Sequence, residues 1–210
     1  IFHSISAYNN AGFSIWSSSM YSYRTNLLVN FVFIALIILG GLGWRVIDDL
    51  WNNRSNLSYK KLSLHSKLVL RTTLNLIIFG SLGFFITESL LNGQFFADLN
   101  FGERILASLF ETVSARTAGF TNYSISLNTI SDTGILLLMT LMFIGASPGG
   151  TGGGIKTTTF IALMAATRST LRGQKDVIIS NRLISDKVIL KAVGITVGSL
   201  LFVLLMAMLL

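Results

Sequence analysis

Two short segments of this chain repeat one pattern of small and polar residues. Ser6-Ala7-Tyr8-Asn9-Asn10-Ala11-Gly12-Phe13 is echoed by Ser114-Ala115-Arg116-Thr117-Ala118-Gly119-Phe120, the first copy longer by one residue. Neither contains a nucleophile beside a base, and no such pair occurs elsewhere, so the pattern does not point to an enzyme. What these segments offer is main chain. Glycine reaches conformations that other residues avoid and leaves space beside the backbone. Carbonyls outside a helix can replace the hydration shell of a cation. The candidate ion-binding backbone is therefore Asn9, Asn10, Ala11 and Gly12 together with Arg116, Thr117, Ala118 and Gly119.

A third stretch, Ser147-Pro148-Gly149-Gly150-Thr151-Gly152-Gly153-Gly154-Ile155-Lys156, invites comparison with phosphate-binding loops. The spacing fails, because Ile155 separates the last glycine from the lysine and no strand precedes the run. His3 and His65 stand alone, there is no cysteine, and no carboxylate cluster accompanies either histidine, so a metal site is not expected.

The elements that must position these residues are membrane helices. Apolar residues make up 51% of the 210 positions and charged residues 12%, about half of what clothes a soluble surface. The mean hydropathy is +0.67. Uncharged or nearly uncharged runs predict spans over Thr25–Trp44 and Leu68–Leu91, a long third region over Thr129–Thr170 and a fourth over Lys187–Leu210. The net charge of +7 comes from placement. Arg45, Arg54, Lys60, Lys61, Lys67 and Arg71 fall in one segment, and Lys156, Arg168, Arg172, Lys175, Arg182, Lys187 and Lys191 in another. Both segments are expected to be cytoplasmic, in the plasma membrane, and nucleic acid binding is discarded as the cause of the basic charge. Trp44 and Trp51 fit an anchor at the inner surface and Trp16 one at the outer; Gly40, Gly41 and Gly43 suggest close helix packing.

If Phe101–Phe120 crossed the membrane, the two basic segments would lie on opposite sides. It is therefore expected to dip in and return, which is tolerated only where protein or water surrounds the backbone. Each repeat then reads as outer helix, short re-entrant helix, Ala-Gly-Phe turn and inner helix. The short helix turns its partly negative C-terminus toward the pore centre. Two such arcs do not close a ring, so the chain is expected to be an internal piece of a longer polypeptide that supplies the remaining units. Arg116 beside a cation path is expected to point away from the axis and pair with Glu111; the alternative is that it tunes ion entry.

The Gly-rich run falls inside the membrane, because Ile135 to Ala146 climbs only about 18 Å as helix. Five glycines and Pro148 break the helix there, which is expected to resume near Thr157. A flexible polar loop beside the filter can obstruct ions in one state and withdraw in another. Ser147, Pro148, Gly149, Gly150, Thr151, Gly152, Gly153, Gly154 and Lys156 are the candidate gate residues, the closed form being held by Ser147, Thr151 and Lys156.

The segments A-Y-N-N-A-G-F and S-A-R-T-A-G-F, with S-P-G-G-T-G-G-G-I-K-T-T-T downstream, are similar to the Trk/Ktr/HKT superfamily of potassium transporters, most closely to the membrane subunit of bacterial Ktr systems. The resemblance covers the whole chain. It implies an all-α integral membrane fold, with helix–pore loop–helix units arranged pseudo-fourfold around one pore. Residues 1–44 would be the pore loop and inner helix of a second unit, 45–66 a cytoplasmic linker and 67–172 a complete third unit. A second linker would occupy 173–186 and the first helix of a fourth unit 187–210. Gly12 and Gly119 map onto filter glycines associated with potassium selectivity, and the Gly-rich run onto an intramembrane gating loop. The implied cargo is K+, with Na+ as a modulator and no bound cofactor. The implied partners are a second copy in a homodimer and a cytosolic, KtrA-like nucleotide-binding ring, with anionic lipid headgroups as another recipient of the basic charge. The competing reading is a broken-helix carrier for a small cation, which predicts paired breaks in inverted repeats. A membrane scaffold would leave the repeated turns without a role.

Overall fold

The computed structural model describes residues 1–54, 59–91, 94–123, 129–174, 176–180 and 182–209; Lys175 and Leu210, named above, lie outside the described residues. Among the described residues eight α-helices follow in order: α1 (Phe2–Tyr8), α2 (Leu27–Leu42), α3 (Trp44–Asn52), α4 (Leu64–Leu90), α5 (Phe101–Ala115), α6 (Asp132–Phe143), α7 (Thr157–Leu171) and α8 (Asp186–Leu209). Their starts are written in the sequence. Asn26, Ser63 and Ser131 each accept a backbone N–H two or three residues into α2, α4 and α6, which satisfies one of the orphan donors of the first turn. At the start of α5, Glu103 reaches back to the Asn100 N–H at 2.8 Å.

Among the described residues, α4 and α8 are each long and apolar enough to cross a membrane. The expected span Thr25–Trp44 is shorter than that. The helix α2 has 16 residues, about 24 Å, and the chain then turns by 98° into α3. The elbow is Gly43, whose φ is +85°. Beyond it, α3 carries Trp44 and Trp51 exposed, with the guanidinium of Arg45 5.8 Å from the Trp44 ring and that of Arg54 4.5 Å from the Trp51 ring. That is the make-up of a helix lying along a membrane interface. The stretch expected as a linker over 173–186 holds a two-residue antiparallel ladder, Ile178–Ile179 with Arg182–Leu183.

Two apolar clusters set the relative positions of the helices. Ala7, Met20, Phe33, Ile34, Ile37, Phe110, Val113, Ala118 and Phe120 pack together, joining α1, α2 and α5 around both repeated segments. Phe33 meets Phe120 edge to face at 5.1 Å. Phe84, Phe95, Phe96, Leu99, Ala107, Ile130 and Leu138 join α4, α5 and α6.

One buried carboxylate staples that second cluster. Glu88 is 1% exposed, and its Oε1 accepts the Ser131 hydroxyl at 2.6 Å and the Ser131 N–H at 3.1 Å. The bond ties the end of α4 to the cap of α6. Replacing Glu88 with Ala strands both donors and should lower stability by about 1–3 kcal/mol. A thermal or denaturant midpoint in detergent measures this, and Glu88→Gln, which keeps an acceptor, should lose less.

Candidate functional site

The short helices α1 and α5 end at the two repeated segments, and each ending is built in the same way. Ser6 donates its hydroxyl to the Phe13 carbonyl at 2.8 Å, and Ser114 donates to the Phe120 carbonyl. The Ala11 N–H donates to the Ser6 carbonyl at 2.9 Å; the Ala118 and Gly119 N–H groups donate to that of Ser114 at 2.9 and 3.1 Å. The serine that opens each motif therefore clamps the phenylalanine that closes it. Sequence reasoning took these serines only as part of the pattern, and their identity in both copies was the available signal.

Between serine and phenylalanine the backbone is left-handed at alternate positions. Asn10 has φ +51° and Gly12 +71°; Thr117 has φ +81° and Gly119 +80°. Asparagine visits this region at modest cost, but a β-branched threonine there is an outlier. Strain of this kind, of order 1–3 kcal/mol, persists where surrounding structure over-determines it. The two segments also touch. A Cβ on Gly12 would stand 2.4 Å from the Ala118 carbonyl oxygen, whereas one on Gly119 would meet only the Gly12 Cα at 3.7 Å.

The hydrogen bonding singles out the same residues. Among the described residues, no donor reaches the carbonyl oxygen of Asn9, Asn10, Ala11 or Gly12, or that of Arg116, Thr117, Ala118 or Gly119. The flanking carbonyls of Ser6, Ala7, Tyr8, Phe13, Ser114, Ala115 and Phe120 are all engaged. Asn10, Arg116 and Ala118 are buried, Gly12 and Thr117 half-buried, and Asn9, Ala11 and Gly119 exposed, so these carbonyls are open to water or an ion rather than sealed in the core. A run of free ones in two touching segments, at the negative ends of two helices, suits a cation.

Arg116 and Glu111 do not form the expected pair. The Glu111 Oε1 accepts the Asn122 N–H at 2.7 Å, and Arg116 Nη2 donates to the Gly145 carbonyl at 3.3 Å. The physical reason is helical phase: five residues on, the chain has turned roughly 140° about the α5 axis. The sole ion pair among the described residues is Arg24 with Asp98 at 3.7 Å, distant in role from the filter.

The Gly-rich stretch separates α6 from α7 and is extensively bonded. The Gly145 N–H donates to the Ile155 carbonyl and the Ala146 N–H to that of Gly153, at 3.0 and 3.1 Å. Ser147 Oγ receives the Thr157 hydroxyl at 3.0 Å, and Lys156 Nζ donates to the Gly152 carbonyl at 2.8 Å. Outward, the Ser147 N–H donates to the Gly41 carbonyl at 3.0 Å, the Thr151 N–H to that of Gly40 at 3.1 Å, and the Trp44 N–H to that of Gly149 at 3.4 Å. Pro148, Gly149 and Gly150 thus lie on the α2–α3 elbow, the loop's base is closed by a parallel bridge between Ile144 and Ile155, and Gly152 and Gly154 sit beside Thr117 and Gly145 respectively. Gly40 packs closely on α1, a Cβ there standing 1.8 Å from the Tyr8 carbonyl oxygen, and Gly40 and Gly41 also present their carbonyls to this loop.

Residues 1–210 match the family described as TrkH, cation transport protein. The chain is 40% identical over 205 residues to the Ktr system potassium uptake protein B of Bacillus subtilis, covering 98% of this chain and 45% of that protein. It is 39% identical over 195 residues to the potassium/sodium uptake protein NtpJ of Enterococcus hirae, covering 91% and 41%. The crystal structure of the potassium transporter TrkH from Vibrio parahaemolyticus superposes with a TM-score of 0.77 at 20% identity, covering 96% of this chain and 43% of that one, a likeness of fold. The chain spans less than half the length of these proteins.

The contact geometry separates the two glycines experimentally. Gly12→Ala adds a clash to backbone strain of about 1–2 kcal/mol and should cost much of the monodisperse protein; Gly119→Ala adds only the strain and should survive purification. Size-exclusion profiles and thermal midpoints of the two variants check this.

Proposed function

The chain belongs to the TrkH family of cation transport proteins, and from that premise we propose that it forms part of a potassium pathway through a membrane, with the repeated segments as its selectivity filter. The unpaired carbonyls of Asn9 to Gly12 and of Arg116 to Gly119 carry this reading. A potassium ion entering the filter gives up water, and fixed carbonyl oxygens held by the serine clamps take its place. Preorganisation matters because oxygens that relax onto a smaller ion would accept sodium equally well. That these relatives are a potassium uptake protein and a potassium/sodium uptake protein supports the choice of K+ with Na+ as modulator.

The further parts of the proposal follow from placement. Residues 45–66 and 173–186 are cytoplasmic linkers of a plasma-membrane protein, because the basic residues gather there. Additional filter segments come from the rest of the same polypeptide, repeated units being arranged pseudo-fourfold around the pore. The loop from Ser147 to Lys156 is a gate: it lies between the end of α1, where Thr151 bonds Tyr8 and Asn10, and the elbow after α2, where Ser147, Thr151 and Gly149 bond Gly41, Gly40 and Trp44. A homodimer and a cytosolic nucleotide-binding ring complete the assembly, the ring acting from the side on which α3 and the basic residues lie.

Two measurements test this. In a host lacking potassium uptake, the full-length protein should restore growth at low K+. Gly119→Ser, for which the structure leaves room, should lower the preference for K+ over Na+ about tenfold, the effect of misplacing one ligand by about 1.4 kcal/mol; unchanged discrimination in a folded variant contradicts the filter assignment. Excising Gly152–Gly154 should raise K+ flux in liposomes, and unchanged flux removes the gate assignment.

A further inference from the structure

We infer that Thr151 is a positioning residue of the filter, its hydroxyl setting the geometry of the Tyr8–Gly12 segment so that loop position and ion coordination are fixed together. This rests on the filter reading above and adds to it a residue that the loop contributes to the filter.

Thr151 is the one hydroxyl-bearing residue between Gly149 and Gly154. Its Oγ1 donates to the Tyr8 carbonyl at 3.0 Å and accepts from the Asn10 side-chain amide at 2.8 Å. Its own N–H is held by the Gly40 carbonyl at 3.1 Å, so the hydroxyl is delivered from a fixed point. The three parts meet closely: a Cβ at residue 40 would stand 1.8 Å from the Tyr8 oxygen and 3.0 Å from the Thr151 hydroxyl. Only glycine admits the junction. Tyr8 is the last residue of α1, and no other donor among the described residues reaches its carbonyl.

The consequences differ for each partner. Asn10 stands at φ +51°, and its amide has one other acceptor, the Ile37 carbonyl at 3.5 Å. Without the hydroxyl, that amide loses its best bond and the left-handed turn loses its anchor. The Tyr8 carbonyl would join the unpaired set, one residue too early in the filter. The second segment makes no equivalent bond: the Thr117 hydroxyl lies beside Gly152 but has no hydrogen-bond partner, and Arg116 donates to Gly145, ahead of the loop, at 3.3 Å. Movement of the loop therefore disturbs one arc of the filter more than the other. A gate attached in this way cannot open without altering the ligands that an ion meets.

The test uses the full-length protein with Thr151→Val, which keeps shape and removes the hydroxyl, and Thr151→Ser, which keeps the hydroxyl. The valine variant should raise the apparent KM for K+ about fivefold, the share of the two lost hydrogen bonds that reaches the ligand geometry, and narrow discrimination against Na+; the serine variant should stay close to the parent. In detergent, the extra thermal stabilisation given by K+ over Na+ should shrink for valine alone, a reading that survives loss of transport. A change in maximal rate with KM untouched, or equal shifts for valine and serine, makes Thr151 a loop fastener only and overturns the inference. Failure of Gly119→Ser to affect discrimination would instead strike the filter reading itself.

Discussion

Two short runs of main-chain carbonyls, after α1 and after α5, have no protein donor among the described residues, and the surrounding structure holds them in place. The residues on either side are hydrogen-bonded: Ser6 and Ser114 grip the far ends, and the last turns of α1 and α5 absorb the near ones. Between those grips, left-handed residues at alternate positions prevent either helix from continuing and capturing the free oxygens. Carbonyls held outside a helix in this way can replace part of a cation's hydration shell, which is the role proposed for them above.

Holding strained main chain requires a stiff surround. The cluster of Ala7, Phe33, Ile34, Ile37, Phe110, Val113, Ala118 and Phe120 provides it, with filter residues themselves part of the packing. Close-packed interiors yield little, so a ligand position set by such a core does not relax readily around a smaller ion. The loop between α6 and α7 is held differently. It meets α1, Asn10 and the α2–α3 elbow through several hydrogen bonds and close backbone contacts, each bond modest in net worth, so the movement proposed above must release them together.

The sequence made the repeat, the broken helix and most helix positions legible because each has a local cause. Apolar runs marked α4 and α8, and Pro148 with five glycines marked the break. The features that escaped are those created by tertiary contact. Gly40 and Gly41 resemble ordinary packing glycines until the loop is seen to bond their carbonyls. The turn at Gly43 shortens a run that, as letters, spans to Trp44. Arg116 and Glu111 are oppositely charged and near in sequence, yet helical phase sends one to Gly145 and the other to Asn122. The serine clamps were on view in both copies but carry meaning only once the turn is folded back.

Anomalous diffraction from crystals of the full-length protein grown in Tl+ or Rb+ tests the central claim most directly. The account predicts an anomalous peak coordinated without intervening water by carbonyl oxygens from both the Asn9–Gly12 and Arg116–Gly119 segments. A peak confined to one segment, or separated from these oxygens by a water shell, would contradict it.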